Sequence, residues 1–126
     1  MKRRTLLAVT AAALATLSAP AVAQTAWPER PVRILVSFPP GGSSDLVARL
    51  LSEKLSAALG QQFVVENKPG AAGTVAATAL QEAEPDGYTF MLSNLTPFNV
   101  APVQFPDTPY DPVADFDHIT YIGTVN

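Results

Sequence analysis

Residues 32–60, VRILVSFPPGGSSDLVARLLSEKLSAALG, leave this chain few folds to choose from. Val32, Ile34, Leu35, Val36 and Phe38 form a nearly continuous apolar run. That is the pattern of a parallel strand covered on both faces, not of an antiparallel strand with one wet face. Pro39 and Pro40 cannot extend a hydrogen-bonded ladder, and Gly41-Gly42 permits a tight turn and close approach of the backbone to a ligand. A long helix is expected next, with Ser43 or Ser44 as N-cap, Asp45 complementing the positive end of the dipole, and Gly60 just past the C-terminus. Leu46, Leu50, Leu51, Leu55, Ala58 and Leu59 recur at helical spacing and predict a core-facing stripe. Residues 61–66, QQFVVE, read as a second strand, so the unit is βαβ with a right-handed crossover.

The turn carries the chemistry. A helix N-terminus leaves about four backbone N–H groups without intrahelical partners. Beside a glycine-rich turn at the C-terminal end of a strand, those groups form an anion site. The first loop offers Phe38, Pro39, Gly41, Gly42, Ser43, Ser44 and Asp45. It holds no Lys, Cys or His, so it can bind an anion but has no evident group with which to react with one. The arrangement then recurs. Asn67-Lys68-Pro69-Gly70-Ala71-Ala72-Gly73-Thr74 leads into a small-residue helix expected over 75–82, with Pro69, Gly70, Ala71, Gly73 and Thr74 as second-loop candidates and Lys68 as a solvated loop lysine. One such loop is readable as a plain βα turn; two in succession open on the same edge of a parallel sheet and point to a shared site. A third strand, TFMLS over 89–93, ends at that edge. Ser93, Asn94, Thr96 and Asn99 follow it as candidate contacts, each equally readable as an ordinary polar group of a loop.

The remaining stretches read as scaffold. Pro28 and Pro31 exclude helix from the lead-in, and Trp27 is expected to pack on the domain. Pro85-Asp86-Gly87-Tyr88 is a turn in which proline presets one φ and Asp-Gly tolerates left-handed backbone. Asp111 and Pro112 look like the N-cap and first position of a short helical turn. Residues 118–124, HITYIGT, alternate like a fourth strand, with His118 as a solvent-facing or hydrogen-bonded structural histidine.

The first 23 residues are not read as fold. Lys2-Arg3-Arg4, an apolar run over 5–17 and Ala21-Val22-Ala23 are the three parts of a secretory signal, with cleavage expected before Gln24. The apolar run falls short of the roughly 20 residues a bilayer span needs. Of the 126 residues none is Cys and one is His, and the formal charge is −3. Three of the eight basic residues but none of the eleven acids lie in residues 1–23, which leaves residues 24–126 at −6. An acidic chain without a basic stripe excludes nucleic acid as the expected partner. The chain stops directly after the expected fourth strand, an odd place for a finished domain, so residues 24–126 are read as a truncated unit.

Enzymatic motifs are missing. The first loop has no G-K-[ST] ending, neither glycine loop spells G-x-G-x-x-G, and Ser43 and Ser44 lack a G-x-S-x-G context and a second histidine. Asp45 and Glu53, eight positions apart on one helix, sit about 12 Å from each other and make no acid/base pair. No His, Cys or acid spacing matches a metal site. Neither metal nor cofactor is expected. A periplasmic hydrolase or transferase using the same anion loops, and a non-functional fragment, remain as alternatives.

With these residues in view, the chain resembles the solute-binding receptors of tripartite tricarboxylate transporters, the Bug family. The family's Phe-Pro-x-Gly-Gly-x-Ser/Thr-Asp is matched by Phe38, Pro39, Gly41, Gly42, Ser44 and Asp45. Its Asn-Lys/Arg-Pro-Gly-Ala-x-Gly is matched by Asn67, Lys68, Pro69, Gly70, Ala71 and Gly73. Pro85-Asp86-Gly87-Tyr88-Thr89 and Tyr110-Asp111-Pro112 with Asp115-Phe116 match two further motifs. Pro40 and Ala72 depart from the usual residues, and 96–108 follows the pattern only loosely. The resemblance implies an α/β, parallel-sheet (βαβαβ) first lobe of a two-lobe clamshell like that of periplasmic binding proteins, with the second lobe missing from this chain. It further implies a periplasmic, monomeric receptor rather than an enzyme, capturing a small carboxylate through backbone amides and ordered waters. The integral-membrane subunits of an uptake transporter are then its partners.

Overall fold

The computed structural model describes residues 26–123; the secretory signal expected over 1–23 lies outside the described residues. Three parallel strands form one sheet in the order β2-β1-β3: β1 (Val32–Val36), β2 (Phe63–Asn67) and β3 (Thr89–Leu92). Val32 stands opposite Phe63, and Ile34 stands between Val65 on one side and Phe90 on the other. Two helices make the crossovers, α1 (Ser43–Leu59) from β1 to β2 and α2 (Thr74–Gln81) from β2 to β3. The first crossover steps to one side of β1 and the second steps back past it. With right-handed connections, such a reversal places the two helices on opposite faces of the sheet.

Side-chain packing agrees with that topology. Val32, Ile34 and Val36 alternate onto one face and pack with Ala48 of α1, Phe63, Leu55, Val65, Phe90 and Leu92. Leu35 points to the other face, where α2 lies against β3 and β1 and buries Ala76 and Ala77. Alanines suit this position because a small side chain lets the helix approach the sheet closely. Trp27 closes the N-terminal end of the sheet, with its ring about 6 Å from those of Phe63, Tyr88 and Phe90. Arg30 stacks over Tyr88 at 4.0 Å and pairs with Asp86, so the lead-in docks as expected.

Three expectations change. The N-cap of α1 is Gly42, in an extended conformation and without a side-chain cap, so neither Ser43 nor Ser44 fills that role. The inward face of α1 is not the leucine stripe. Leu46 and Leu50 are 71% and 57% exposed and Leu59 is exposed as well, while Asp45 and Ala48 are buried and Leu55 is partly buried. Polar contacts set that rotation: Asp45 hydrogen-bonds inward, Ser52 Oγ donates to the Phe63 carbonyl, and Ser56 Oγ accepts from the Phe63 N–H. Finally, no strand forms over 118–123. Alternation is necessary for a half-buried strand, but a strand exists only where its backbone groups meet a neighbour's. This segment has no such neighbour among the described residues, and Ile119, Tyr121 and Ile122 stay exposed.

Candidate functional site

The order β2-β1-β3 reverses direction at β1. In open α/β sheets the ligand crevice lies outside the C-terminal strand ends at such a switch point. The first residues beyond β1 and β3 are Ser37 and Ser93, and their hydroxyl oxygens stand 2.6 Å apart. Ser37 is buried and Ser93 half-buried. One hydroxyl donates to the other, which leaves the pair one further O–H to direct elsewhere. The Ser93 expected at this edge is therefore present. Ser37 was not singled out, although it is the one hydroxyl in the run 32–38 and that interruption was its signal.

The first loop follows Ser37. Gly41 takes φ +89°. The first intrahelical bond of α1 runs from the Leu46 N–H to the Gly42 carbonyl. The N–H groups of Ser43, Ser44 and Asp45, ahead of it, have no carbonyl one turn back and form the positive end of a 17-residue helix. Asp45 is different in kind from its neighbours. Its side chain is only 5% exposed. Oδ2 accepts from the Gly41 N–H (3.0 Å) and Arg49 Nε (2.9 Å), and Oδ1 from Asn67 Nδ2 (2.9 Å). The Arg49 bond first, then the Gly41 and Asn67 donors, hold this carboxyl well below the ordinary carboxylate range. Both side-chain oxygens of Asp45 are thus engaged within the chain, and its backbone N–H stays among the free donors of the helix start.

The second loop leaves β2 through Lys68 and Pro69. A 3-10 turn (Ala71–Gly73) then enters α2. Ala71 and Ala72 have φ of 43° and 54°, a left-handed conformation costing non-glycine residues roughly 1–2 kcal/mol each. Strain of that kind collects where a loop's shape is used. Gly73, at φ +90°, is pressed against its surroundings: a methyl there would lie 2.9 Å from Pro97 Cγ and 3.1 Å from Ser37 Cβ. Second loop, third loop and the end of β1 thus meet at one point. Lys68 is not a free solvated lysine, because Nζ sits 2.9 Å from Glu66, which also pairs with Arg33.

Beyond Ser93 the chain is helical instead of a plain loop. A π-helical turn (Thr96–Val100) runs into a short α3 (Ala101–Gln104). Asn94 Oδ1 accepts from the Thr96 N–H, so its acceptor is used locally, and Asn99 is exposed. Buried Pro97 offers its carbonyl to the Tyr110 hydroxyl at 2.5 Å, and burial pushes that phenol's pKa up. Asp111 caps its turn as expected, accepting from the N–H groups of Val113 and Ala114, while the Asp111 N–H donates to Asp115. Phe116 packs edge-on against Phe98 and Tyr110. His118 hydrogen-bonds through Nε2 with the Pro112 carbonyl and lies against Phe98, a structural placement. Between the second loop and residues 104–109 opens a cavity of about 320 Å³. It shares Ala71 and Thr74 with the expected site, and no first-loop residue lines it.

Comparison with known proteins is consistent across sequence and structure. A family model described as "Tripartite tricarboxylate transporter family receptor" matches residues 47–126. A UPF0065 protein of Bordetella bronchiseptica is 46% identical over 116 residues, 92% of this chain and 34% of that protein. MatC from Rhodopseudomonas palustris, solved with bound malate, superposes with a TM-score of 0.67 at 41% identity, over 71% of this chain and 31% of MatC. An R. palustris protein solved with adipate superposes with a TM-score of 0.51 at 43% identity, over 52% of this chain and 22% of that one. The chain spans about a third of the length of the curated relative it matches.

Proposed function

Since the chain belongs to the tripartite tricarboxylate transporter family of receptors, we propose that it supplies the first α/β lobe of a periplasmic solute receptor, one that captures a small carboxylate for uptake. In this reading residues 1–23 direct export and are removed, and residues 24–126 form the lobe. A facing lobe closes over the ligand, and the closed receptor meets integral-membrane transporter subunits. The protein acts by binding and not by catalysis. Among the described residues no helix is long and apolar enough to cross a membrane.

The observation that carries the reading is the placement of both glycine loops at the C-terminal ends of adjacent parallel strands, at the switch point of the sheet. The free N–H groups of Ser43, Ser44 and Asp45 and the α2 start at Thr74 present dipoles there. The basic side chains nearest the two loops, Arg49 and Lys68, are paired with acids of the protein. A carboxylate is therefore expected to be held by backbone donors, with waters bridging at little cost in affinity. Two relatives were solved with malate and adipate, so dicarboxylates of four to six carbons are the ligands to try first.

Gly42 offers a clean test. Its φ is −80°, and a Cβ there would meet only the Pro39 carbonyl at an ordinary 3.7 Å, so the fold accepts a side chain where a ligand needs the space. In the full chain as its host makes it, calorimetric titration with dicarboxylates is expected to show binding that varies little with salt, because fixed dipoles at short range are screened less than exposed charges. Gly42→Val is expected to weaken that binding about a hundredfold, the scale of losing one or two donors to a charged group, with only about 1 kcal/mol lost in stability from the poorer cap. Unchanged affinity in Gly42→Val would rule the loop-amide site out. Gly70→Val is the poorer probe. At φ +139°, with Val75 Cγ2 3.0 Å from the added Cβ, it disturbs the fold and the site together.

A further inference from the structure

Asp45 is the single charged residue among the described residues that is buried, and an ionised carboxylate is buried only when paired and hydrogen-bonded. Its partners are distributed unusually. The Gly41 N–H belongs to the first loop, Arg49 to the next turn of α1, and Asn67 to the last position of β2, where the second loop begins. Asn67 Nδ2 also donates to the Phe38 carbonyl at 3.1 Å, and Arg49 Nη2 reaches Asn67 Oδ1 at 3.3 Å. Three side chains therefore tie the two ends of the first loop, Phe38 and Gly41, to the root of the second.

We propose that Asp45, Arg49 and Asn67 act as a latch, positioning residues that set the spacing between the two glycine loops and so prearrange the amides that grip the ligand. This rests on the carboxylate-receptor reading for its ligand and adds roles for Arg49 and Asn67, which touch no ligand themselves. Loops open locally at low free energy unless tied down, and ordering them at the moment of binding reduces affinity. The rival role for Asp45 is merely that of an acid in the first turn of α1, favourable to the helix dipole. The two differ over Asn67, which lies on another element and matters only to the latch.

The test uses the full chain with Asp45→Ala, Asn67→Ala, the double variant, and Arg49→Lys. Arg49→Lys keeps the charge beside Asp45 but loses the fork that reaches Asn67. Malate and adipate titrations are made at a temperature where circular dichroism shows every variant folded. Amide exchange over 41–45 is followed in the absence of ligand. The latch predicts about a tenfold loss of affinity in Asn67→Ala, an intermediate loss in Arg49→Lys, and a double variant no weaker than the worse single, because both substitutions cut one linkage. It also predicts faster exchange over 41–45 in Asn67→Ala. Affinity within twofold of the parent in Asn67→Ala, additive losses in the double variant, or unchanged exchange would each overturn it. Should Asp45→Ala fail to fold, Asn67→Ala and Arg49→Lys decide the matter. Should the parent chain bind no carboxylate, the receptor reading fails, and the exchange measurement still decides the latch.

Discussion

At the scale of single residues, the site is built from groups whose surroundings leave them little choice. Gly73 shows this most plainly. It needs a left-handed backbone, and Pro97 and Ser37 fill the space a side chain would take. Gly73→Ala is expected to destabilise the chain by about 2–4 kcal/mol, combining the left-handed penalty with an overpacked contact. Urea denaturation measures it, and a loss below about 1 kcal/mol would mean that the second loop relaxes freely away from Pro97. Ala71 and Ala72 adopt left-handed angles without glycine's freedom, and nothing in their spelling announces it. Ser37 was legible in principle, as a hydroxyl inside an apolar strand. Its partner 56 positions away was not.

At the scale of elements, α1 shows periodicity and packing parting company. Leu46 and Leu50 have helical spacing, and a helix forms where that spacing says, with Gly60 closing it at φ +72°. Spacing alone specifies a stripe but cannot choose among faces when several carry apolar residues. The choice was made by Asp45, Ser52 and Ser56, whose polar atoms find partners only when turned toward the sheet. Ala48 is then fully buried against Val32, Ile34, Val36 and Phe63. Ala48→Leu is expected to cost about 1–3 kcal/mol through overpacking, whereas Leu46→Gln should change stability by no more than about 0.5 kcal/mol. Thermal and urea unfolding of both variants checks the ranking. The reverse ranking would restore the leucine face.

At the scale of the whole molecule, β1 is, among the described residues, the only strand with a neighbour on each side, and Val32, Leu35 and Val36 are fully buried. Hydrogen exchange is therefore expected to be slowest over 34–36 and fast over 118–123, where no ladder protects the amides. Slow exchange over 118–123 in the same sample would show a pairing partner for that segment. Much of this architecture follows from the amino-acid sequence by itself: three parallel strands, two crossover helices, two glycine loops at one sheet edge, and the Asp111 turn. These are local matters. Steric limits on proline and glycine, strand and helix periodicity, and capping act within a few residues of chain and can be read along it. Tertiary structure alone decided which face of α1 is buried, that Asp45 is spent on Gly41, Arg49 and Asn67, that Lys68 is paired, and that 118–123 finds no strand beside it among the described residues. Those outcomes depend on groups that meet across 22 positions, as Asp45 and Asn67 do, or across 56, as Ser37 and Ser93 do. A polar atom's role is set by whichever partner the folded chain brings within hydrogen-bond reach, and that partner is not written beside it.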